Sequence, residues 1–221
     1  MDWTALVLSL KLATATLVVL LPIGLALARW LARGRFPGKA WIEAAVVLPL
    51  VLPPTVLGYY LLVGLGGASP IGRWLHETLG LQLTFSFSGL LLASIVFNLP
   101  FMVQPVQRAF ESIPRELTEA AAVSGLGFWQ TLARVELPLA WPGILSAMVL
   151  TFVHTMGEFG VVLMVGGSIP GQTQTIAIAI YDRVQAFDFA SADRMALLLL
   201  ALSLTAVAAS FLASARLVRR R

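Results

Sequence analysis

Long stretches without an acidic or basic residue dominate this chain and limit what it can fold into. Once their Gly-, Pro- and Ser-rich ends are trimmed, they suit helices of roughly 17–25 residues, the length that crosses a lipid bilayer. The uncharged stretches are Leu12–Ala28, Ala44–Gly72, Thr78–Gln107, Leu137–Gly157 and Met195–Ala215. They predict spanning helices near residues 5–28, 42–63, 87–107, 140–164 and 194–215.

Composition supports a lipid environment for these helices. Hydrophobic residues make up 58% of the chain, charged residues make up 12%, and the mean hydropathy is +0.88. A soluble domain carries about 25% charged residues, so this chain cannot hide its apolar side chains in one soluble core. The 221 residues leave room for five or six spanning helices and their loops. We therefore predict an all-α integral membrane protein in which residues 1–221 form one transmembrane domain.

One segment leaves the number of crossings open between five and six. From Val161 to Tyr181 the apolar pattern breaks at Gly166–Gln172 and resumes over Thr175–Ile180. Each piece is too short to cross a bilayer alone. The pattern predicts a turn followed by an interfacial or re-entrant helix.

Basic residues predict the orientation of the chain in the membrane. Lys and Arg are concentrated in cytoplasmic loops, so the side that carries more of them is assigned to the cytoplasm. That side carries Arg29, Arg33, Arg35, Lys39, Arg108, Arg115, Arg134, Arg216, Arg219, Arg220 and Arg221, and the opposite side carries Arg73, Arg183 and Arg194. We expect a multi-pass protein of the cell inner membrane, with its amino terminus outside and its carboxyl terminus in the cytoplasm.

The first apolar run has an alternative interpretation as a secretory signal peptide, since Ala26–Ala28 is similar to a cleavage site. Asp2 in place of a basic amino-terminal region and Lys11 within the run favour a retained helix. The pI near 10.1 requires no nucleic-acid partner, because anionic lipid attracts basic residues at the cytoplasmic face. The absence of cysteine excludes thiolate metal sites.

A polar segment at about residues 109–138 separates two of the apolar runs on the side assigned to the cytoplasm. Ser112–Gly125 combines an early Pro114, acidic residues, three alanines and a final glycine, which predicts a short helix ended by a glycine cap. Leu126–Leu137 predicts a second short helix, which Pro138 is expected to end.

Motif spacing within this segment is specific. Glu119-Ala120-Ala121 is followed after three residues by Gly125, and after nine more by Val135-Glu136-Leu137-Pro138. This arrangement resembles the EAA loop of ABC-importer permease subunits, with Val135 where the family usually has Ile. The resemblance implies a type I importer permease of the MetI-like fold, whose cytoplasmic coupling helix docks into a separate ATPase. It assigns coupling to Glu119, Ala120, Ala121, Gly125, Leu137 and Pro138.

The chain itself is not expected to bind a nucleotide. Gly34–Ala40 has three residues between its glycines where a phosphate-binding loop has four, and Ala40 replaces the metal-binding Ser or Thr. The resemblance therefore implies a transport subunit with no catalytic residue and no cofactor of its own, while ATP and Mg²⁺ bind to the partner ATPase. Two permease subunits and two ATPase subunits are the expected assembly.

Four further segments resemble molybdate permeases more narrowly. They are Leu48–Tyr59, Phe97–Val103, Gly157–Gly160 and Ile169–Ile176. Sulfate and tungstate permeases have related but less similar versions. The resemblance implies import of a tetrahedral oxyanion, first of all molybdate, received from an external binding protein. Tungstate and sulfate or thiosulfate are the alternative substrates.

Prolines and charges within the spans mark candidate pathway residues. Pro53 and Pro54 predict a helix break. Carbonyls that lose their helical hydrogen bonds at such a break are tolerated within a membrane beside protein or a water-filled cavity. A packing role is the alternative, especially for Pro49. Lys11 and Glu158 lie inside predicted spans, where charges are costly. We expect them to form an ion pair at an outer gate. The alternative is that Lys11 extends to the membrane interface and Glu158 lies at that interface.

Three polar residues in the spans have less specific roles. Asn98 and Gln104 either hydrogen-bond between helices or face the pathway, and the sequence does not choose between them. His154 has no second ligand at metal-binding spacing, which favours a packed or hydrogen-bonded role.

Two other classes of function are alternatives to an importer. An ion-driven transporter acting through Glu158 is a rival, although no internal inverted repeat is visible. A membrane enzyme lacks a catalytic constellation at workable spacing within the spans.

Overall fold

The computed structural model describes the backbone of residues 1–219 and the side chains of residues 1–212. Over this range the chain forms α-helices and one π-helical turn, without a β-strand. The elements are α1 (Trp3–Arg33), α2 (Lys39–Val51), α3 (Pro54–Leu65), α4 (Pro70–Leu79), α5 (Phe87–Glu111), α6 (Arg115–Val123), α7 (Phe128–Thr131), the π turn (Leu132–Glu136), α8 (Leu137–Gly157), α9 (Gly160–Gly166), α10 (Ile176–Gln185) and α11 (Phe189–Arg219). Arg220, Arg221 and the side chains of Arg216 and Arg219 lie outside the described part.

Four of the described helices are long and apolar enough to cross a membrane. They are Trp3–Arg33, Phe87–Glu111, Phe128–Gly157 and Phe189–Leu212, and α2 with α3 adds a fifth if that bent pair is one span. The predicted spans 5–28 and 87–107, and the described part of 194–215, lie within these helices. The predicted all-helical architecture is therefore confirmed.

The span predicted over 42–63 is a pair of helices, because α2 and α3 meet there at a bend of 108°. Pro53 and Pro54 supply no backbone N–H, and their rings obstruct the preceding turn. Leu52, which precedes them, is extended at φ −69° and ψ 139°, the conformation that a following proline favours. Pro49 lies within α2 without ending it. The break predicted at the proline pair is thus present.

The prediction of one helix over 140–164 is wrong. α8 ends at Gly157, Glu158 is extended at φ −67° and ψ 132°, and α9 begins at Gly160. The Glu158 carboxylate accepts a hydrogen bond of 2.9 Å from the backbone N–H of Val161. A side-chain acceptor that satisfies an N–H group of a first turn favours a new helix start at that place.

Pro138 does not end a helix, contrary to the prediction. Helical structure is continuous from Phe128 to Gly157, through the π turn, in which the N–H of Leu137 donates to the carbonyl of Leu132. A proline in a regular α-helix clashes with the carbonyl four residues earlier. Here that carbonyl belongs to Arg134, within the wider π turn, and the extra width accommodates the ring.

A central bundle of α1, α5 and α8 determines where the loop between α5 and α8 lies. These helices pack through fully buried apolar side chains, among them Leu20, Leu31, Met102, Val106, Phe110 and Ile144. α11 packs against α8 and α10. We call the end of the bundle that carries α6 the loop end, and the opposite end the far end. The second arm of the loop continues directly into α8, and the first is joined to α5 through residues 112–114, of which Ile113 is buried in the core.

The two interrupted spans meet at their breaks. α3 packs against α9, and a Cβ added to Gly160 would lie 2.8 Å from the Cβ of Pro54. Such a contact is closer than side chains tolerate, so this approach of the two backbones requires a glycine. The start of α3 and the start of α9 are therefore adjacent.

The segment after α9 has the predicted turn and short helix. α10 comprises Ile176–Gln185, which is too short to cross a bilayer. The side chain of Thr175 caps it by accepting from the N–H of Ile178 at 3.5 Å. In α1, the hydroxyl of Ser9 accepts from the N–H of Ile176 at 2.8 Å. The bond to Ser9 joins the start of α10 to α1.

Candidate functional site

The polar segment at about residues 109–138, which we call the coupling segment, forms a defined helix and turn at the loop end. Gly125 follows α6 with φ +80°, a left-handed conformation that favours glycine. Its N–H donates to the carbonyl of Ala122 at 3.0 Å, and the N–H of Leu126 donates to that of Ala121 at 3.0 Å. These two bonds are a Schellman motif, which supplies the glycine cap expected from the sequence and turns the chain from α6 towards α7.

The predicted coupling residues differ in how accessible they are. Glu119 and Ala120 are exposed, and the ion pairs of the described residues do not include Glu119. Ala121 is only 6% exposed. Leu137 is half-buried and Pro138 is exposed, at the start of α8. A partner can therefore reach Glu119 and Ala120 directly, whereas Ala121 packs within the segment.

Four large apolar side chains of α6 and α7 are exposed at the loop end. Leu117 is 44% exposed, Val123 90%, Phe128 56% and Trp129 76%. We call these four residues the apolar loop surface. Large apolar groups exposed together beside polar residues are typical of a protein interface. The sequence motif does not include them. The apolar residues Val123 and Phe128, on either side of the turn at Gly125, were the available sequence signal for this surface.

A buried ionic cluster joins the loop to α1. Glu136, the last residue of the π turn, is 2% exposed. Its Oε2 lies 2.6 Å from the Nε of Arg29, and its Oε1 lies 3.3 Å from the Nε of Arg33. The guanidinium carbon of Arg29 also lies 4.4 Å from the centre of the Phe128 ring, a cation–π distance. Arg29 therefore contacts both the first residue of α7 and the last residue of the π turn.

Lys11 and Glu158 do not form the predicted ion pair. The Nζ of Lys11 lies 4.6 Å from the centre of the Phe87 ring, whereas Glu158 is 6% exposed and bonded to the N–H of Val161. The cation–π contact and the local hydrogen bond satisfy the two charges separately. Glu158 in this structure caps α9, and its role at a gate stays a prediction.

Asn98 and His154 form a polar contact between α5 and α8. Asn98 is fully buried and donates from Nδ2 to the carbonyl of Ser94 at 2.8 Å. Its Oδ1 lies 3.0 Å from the Nδ1 of His154, which assigns the proton to that nitrogen. The His154 ring is stacked on Phe101 at a centroid distance of 3.9 Å. The interhelical alternative for Asn98 and the packed, hydrogen-bonded interpretation of His154 both agree with these contacts.

The pathway candidates thus occupy two places. Pro53 and Pro54 lie at the junction of the interrupted spans, where Pro54 is next to Gly160. Glu158 precedes Gly160 by two residues, between α8 and α9. Asn98 lies between α5 and α8, and Lys11 lies on the outer surface of α1 beside Phe87. The structure therefore does not gather all five candidates around one cavity, and their roles in a pathway stay predictions.

Residues 21–221 match the family described as binding-protein-dependent transport system inner membrane component. This chain belongs to that family. It is 51% identical over 88% of its length to the molybdenum transport system permease protein ModB of Azotobacter vinelandii, covering 86% of that protein. It is 40% identical over 83% of its length to ModB of Escherichia coli K12, covering 80% of it. The sulfate transport system permease protein CysT of the same strain is 34% identical over 82% of this chain, which covers 65% of that protein.

Solved structures agree with the fold of this inner membrane component. One is the crystal structure of a bacterial ABC transporter involved in the import of the acidic polysaccharide alginate, with a TM-score of 0.79, 19% identity, and coverage of 96% of this chain and 78% of that chain. A second structure holds the alginate transporter in complex with a periplasmic protein bound to alginate pentasaccharide, with a TM-score of 0.76, 20% identity and coverage of 94% and 76%. The MetI-like fold and the multi-pass membrane location predicted from the sequence are confirmed.

The family match encloses the coupling segment, both interrupted spans and the buried ionic cluster of this inner membrane component. Glu136, Arg29 and Arg33 were not among the predicted site residues. Arg29 and Glu136 are 107 positions apart, and a charge pair at that separation leaves no periodic signal in a sequence. The one available signal was that Glu136 is an acidic residue just before an apolar span, where burial demands a partner.

Proposed function

We propose that this chain is the membrane-spanning permease subunit of an ATP-driven importer and forms the translocation pathway for molybdate. The observation that carries the proposal is the 51% identity to a molybdenum transport permease over 88% of the chain. ATP and Mg²⁺ bind to a partner ATPase, and the chain itself carries no cofactor. The accessible Glu119 and Ala120 and the apolar loop surface are the features that such a partner would contact.

The loop end lies in the cytoplasm under this proposal. Arg29, Arg33 and Arg134 are at that end of the bundle, and basic residues are concentrated on the cytoplasmic side of membrane proteins. The amino terminus at Trp3 is then outside, and α11 runs from the outside towards the cytoplasm. The ATPase meets the loop end, and a loaded external binding protein meets the far end.

The assembly is a homodimer of the permease with two ATPase subunits and one external oxyanion-binding protein. Many large apolar side chains of the spans are exposed in a single chain, such as Val18 at 66% and Leu204 at 66%, and they need lipid or a second copy as a neighbour. The similar alginate transporter was solved with its periplasmic protein bound, which supports an external delivery partner here.

Coupling follows from the continuity of the helix after the loop. Closure of the ATPases on ATP would move α6 and the apolar loop surface. Because α7, the π turn and α8 are one continuous helix, this motion passes to α8, whose other end meets the junction of the interrupted spans. Weak binding along the pathway favours release, so selectivity for molybdate lies mainly in the external binding protein.

Sulfate is the second candidate substrate, since a sulfate transport permease is 34% identical over 82% of this chain. Both anions are tetrahedral oxyanions that carry the same charge, so a pathway without a tight binding site accepts either on chemical grounds. The lower identity makes sulfate the weaker candidate. Tungstate, which has the same shape and charge, is the remaining alternative.

Uptake of radiolabelled molybdate into vesicles that contain this subunit, its ATPase and its binding protein tests the proposal. We expect uptake to require ATP, to fall with Glu119→Lys and to resist excess sulfate. Glu116→Lys is the matched control, because Glu116 is exposed on the same helix, lies outside the motif and has the same charge change. Uptake without ATP would instead indicate an ion-driven transporter. Strong competition by sulfate or tungstate would change the substrate and leave the importer standing.

A further inference from the structure

We propose that the buried cluster of Arg29, Arg33 and Glu136 is the link through which the coupling segment moves α1. The inference rests on the proposed function, because it needs an ATPase that moves the segment. It adds a second route beside the continuous helix into α8. α1 is separated from the segment by more than 100 residues of chain, so only side-chain contacts can transmit the motion to it.

The geometry of Glu136 supports a rigid link. Each of its two carboxylate oxygens faces a different arginine, at 2.6 Å and 3.3 Å. Arg29 donates a hydrogen bond to the carboxylate, and Arg33, one helical turn further along α1, lies at ion-pair distance without a hydrogen bond from its Nε. Since Glu136 is 2% exposed, its carboxylate depends on these arginines rather than on water for stabilisation. Separation of the two elements would leave a buried charge without its partner, which is strongly unfavourable.

Arg29 extends the link along the whole irregular segment. It contacts Phe128 at the start of α7 and Glu136 at the end of the π turn. These two residues bracket the part of the helix whose hydrogen bonding departs from the α pattern. π turns are less regular than the α-helix around them and often mark functional positions. With both ends fixed to one side chain of α1, this segment moves together with α1.

The apolar loop surface lies next to this link. Phe128 belongs to that surface, and its ring packs edge-on against Trp129 at a centroid distance of 5.1 Å. A partner that presses on Trp129 therefore also displaces the Phe128 ring, which Arg29 contacts. The force applied by the ATPase has a path of direct contacts from Trp129 through Phe128 and Arg29 into α1.

The test compares transport with ATP hydrolysis in the complete importer reconstituted in vesicles. Glu136→Gln keeps the shape of the side chain and removes its charge. We expect molybdate transported per ATP hydrolysed to fall by about tenfold, while ATP hydrolysis stays near the wild-type rate. Arg35→Gln is the matched control, because Arg35 is exposed near the end of α1 and belongs to none of the ion pairs of the described residues.

Exchange of the charges sharpens the test. The double variant Glu136→Arg with Arg29→Glu restores an opposite pair at the same place, and we expect it to recover transport that Glu136→Arg alone loses. A Glu136→Gln importer with the wild-type ratio of transport to hydrolysis would overturn the proposal. A double variant no better than the single one would also count against it.

A distance measurement keeps the proposal testable even if the variants fail to assemble. The chain has no native cysteine, so Ala26→Cys on α1 and Ala133→Cys in the π turn, both exposed, can carry a spin-label pair. In the otherwise unchanged importer we expect the label distance to stay the same with and without trapped ATP. A distance that changes on ATP binding would show that α1 and the π turn move independently, and would overturn the link.

This measurement also separates the link from the proposed function. It requires ATP binding and no transported anion. If wild-type vesicles failed to take up molybdate, the proposed substrate would be wrong, while an unchanged label distance would still support the link.

Discussion

Two buried carboxylates in this chain are stabilised in opposite ways. Glu136 at the loop end is 2% exposed and lies against two arginines of α1, whereas Glu158 at the far end is 6% exposed and accepts from the backbone N–H of Val161. The first contact joins elements 107 residues apart. The second lies within three residues. A buried acidic side chain in a membrane protein can thus either join two distant elements by ion pairs or cap the start of a nearby helix.

The two solutions have different consequences for motion. Under the proposed link, the Glu136 cluster keeps the coupling segment and α1 at a fixed distance, because separation would take the buried carboxylate away from its partners. Glu158 holds only the first turn of α9 and leaves α9 attached to its neighbours by packing. Changes at Glu136 should therefore affect how elements move together, and changes at Glu158 should affect the order of one short helix.

The largest effect is expected from Arg29→Ala, which takes away the closer partner of Glu136. We expect the free energy of unfolding to fall by about 3 kcal/mol, because the carboxylate stays buried with only Arg33 beside it. Unfolding by denaturing detergent in mixed micelles measures the change. Arg35→Ala, at an exposed arginine outside the cluster, should change it by less than about 0.5 kcal/mol.

A double-mutant cycle with Glu136→Ala isolates the pair. If the ion pair carries the effect, the double variant is less destabilised than the sum of the two single variants. Strict additivity would mean that Arg29 stabilises the fold through Phe128 alone. The long-range stabilisation assigned to Glu136 would then be wrong.

The next effect is expected from Glu158→Ala, at about 2 kcal/mol, because the N–H of Val161 then loses its acceptor in an apolar place. Glu158→Gln should cost much less, since the amide oxygen still accepts that bond. Hydrogen exchange at Val161 reports the capping directly, and unfolding in mixed micelles reports the total. Equal losses for both variants would show that the charge of Glu158, rather than its acceptor oxygen, is what matters.

Much of the fold follows from the sequence because charge and proline act locally. Uncharged runs place α1, α5 and α11 near their observed bounds, and the adjacent Pro53 and Pro54 predict a break that occurs. The break at Glu158 was missed, because hydropathy alone does not register a carboxylate that caps the helix after it. The continuous helix through Pro138 was missed because a π turn has no sequence signature of its own.

The candidate site was predicted only where a motif carries it. The coupling helix and its glycine cap follow from the spacing of Glu119 and Gly125. The partners of Lys11 and Glu136 did not follow, since the choice between Phe87 and Glu158 as a neighbour of Lys11 depends on how α1 rotates against α5. That rotation is set by packing of the whole bundle, which no short pattern encodes.

A smaller and purely local effect is expected from Gly125→Ala. Nothing lies within 4 Å of an added Cβ, so only the left-handed φ of +80° opposes the substitution, at a cost of about 1 kcal/mol. Gly127→Ala is the matched control, because the space is equally open and φ is −69°. Binding of the ATPase to vesicles that carry each variant measures the effect on the loop. Equal loss for both variants would indicate a contact with the partner rather than backbone strain.

The smallest effect is expected at Asp188, a half-exposed carboxylate that contrasts with both buried ones. It precedes α11 and accepts from the N–H of Ser191 at 3.2 Å. Hydrogen bonds from the side chain and then the backbone of Ser191 lower the pKa of Asp188. A carboxyl whose pKa is lowered by folding stabilises the folded form above its unfolded-state pKa, and this contribution is lost as the pH falls through the folded-state pKa.

We therefore expect the protection factor of the Ser191 amide in hydrogen exchange to be higher at neutral pH than in acid. In Asp188→Asn, which keeps an acceptor oxygen but cannot titrate, the protection factor should not change over the same range. Loss of protection in acid for both proteins would mean that another group controls the first turn of α11. Because Asp188 is solvated and acts within three residues, even its complete protonation should leave the coupling segment and its tie to α1 intact.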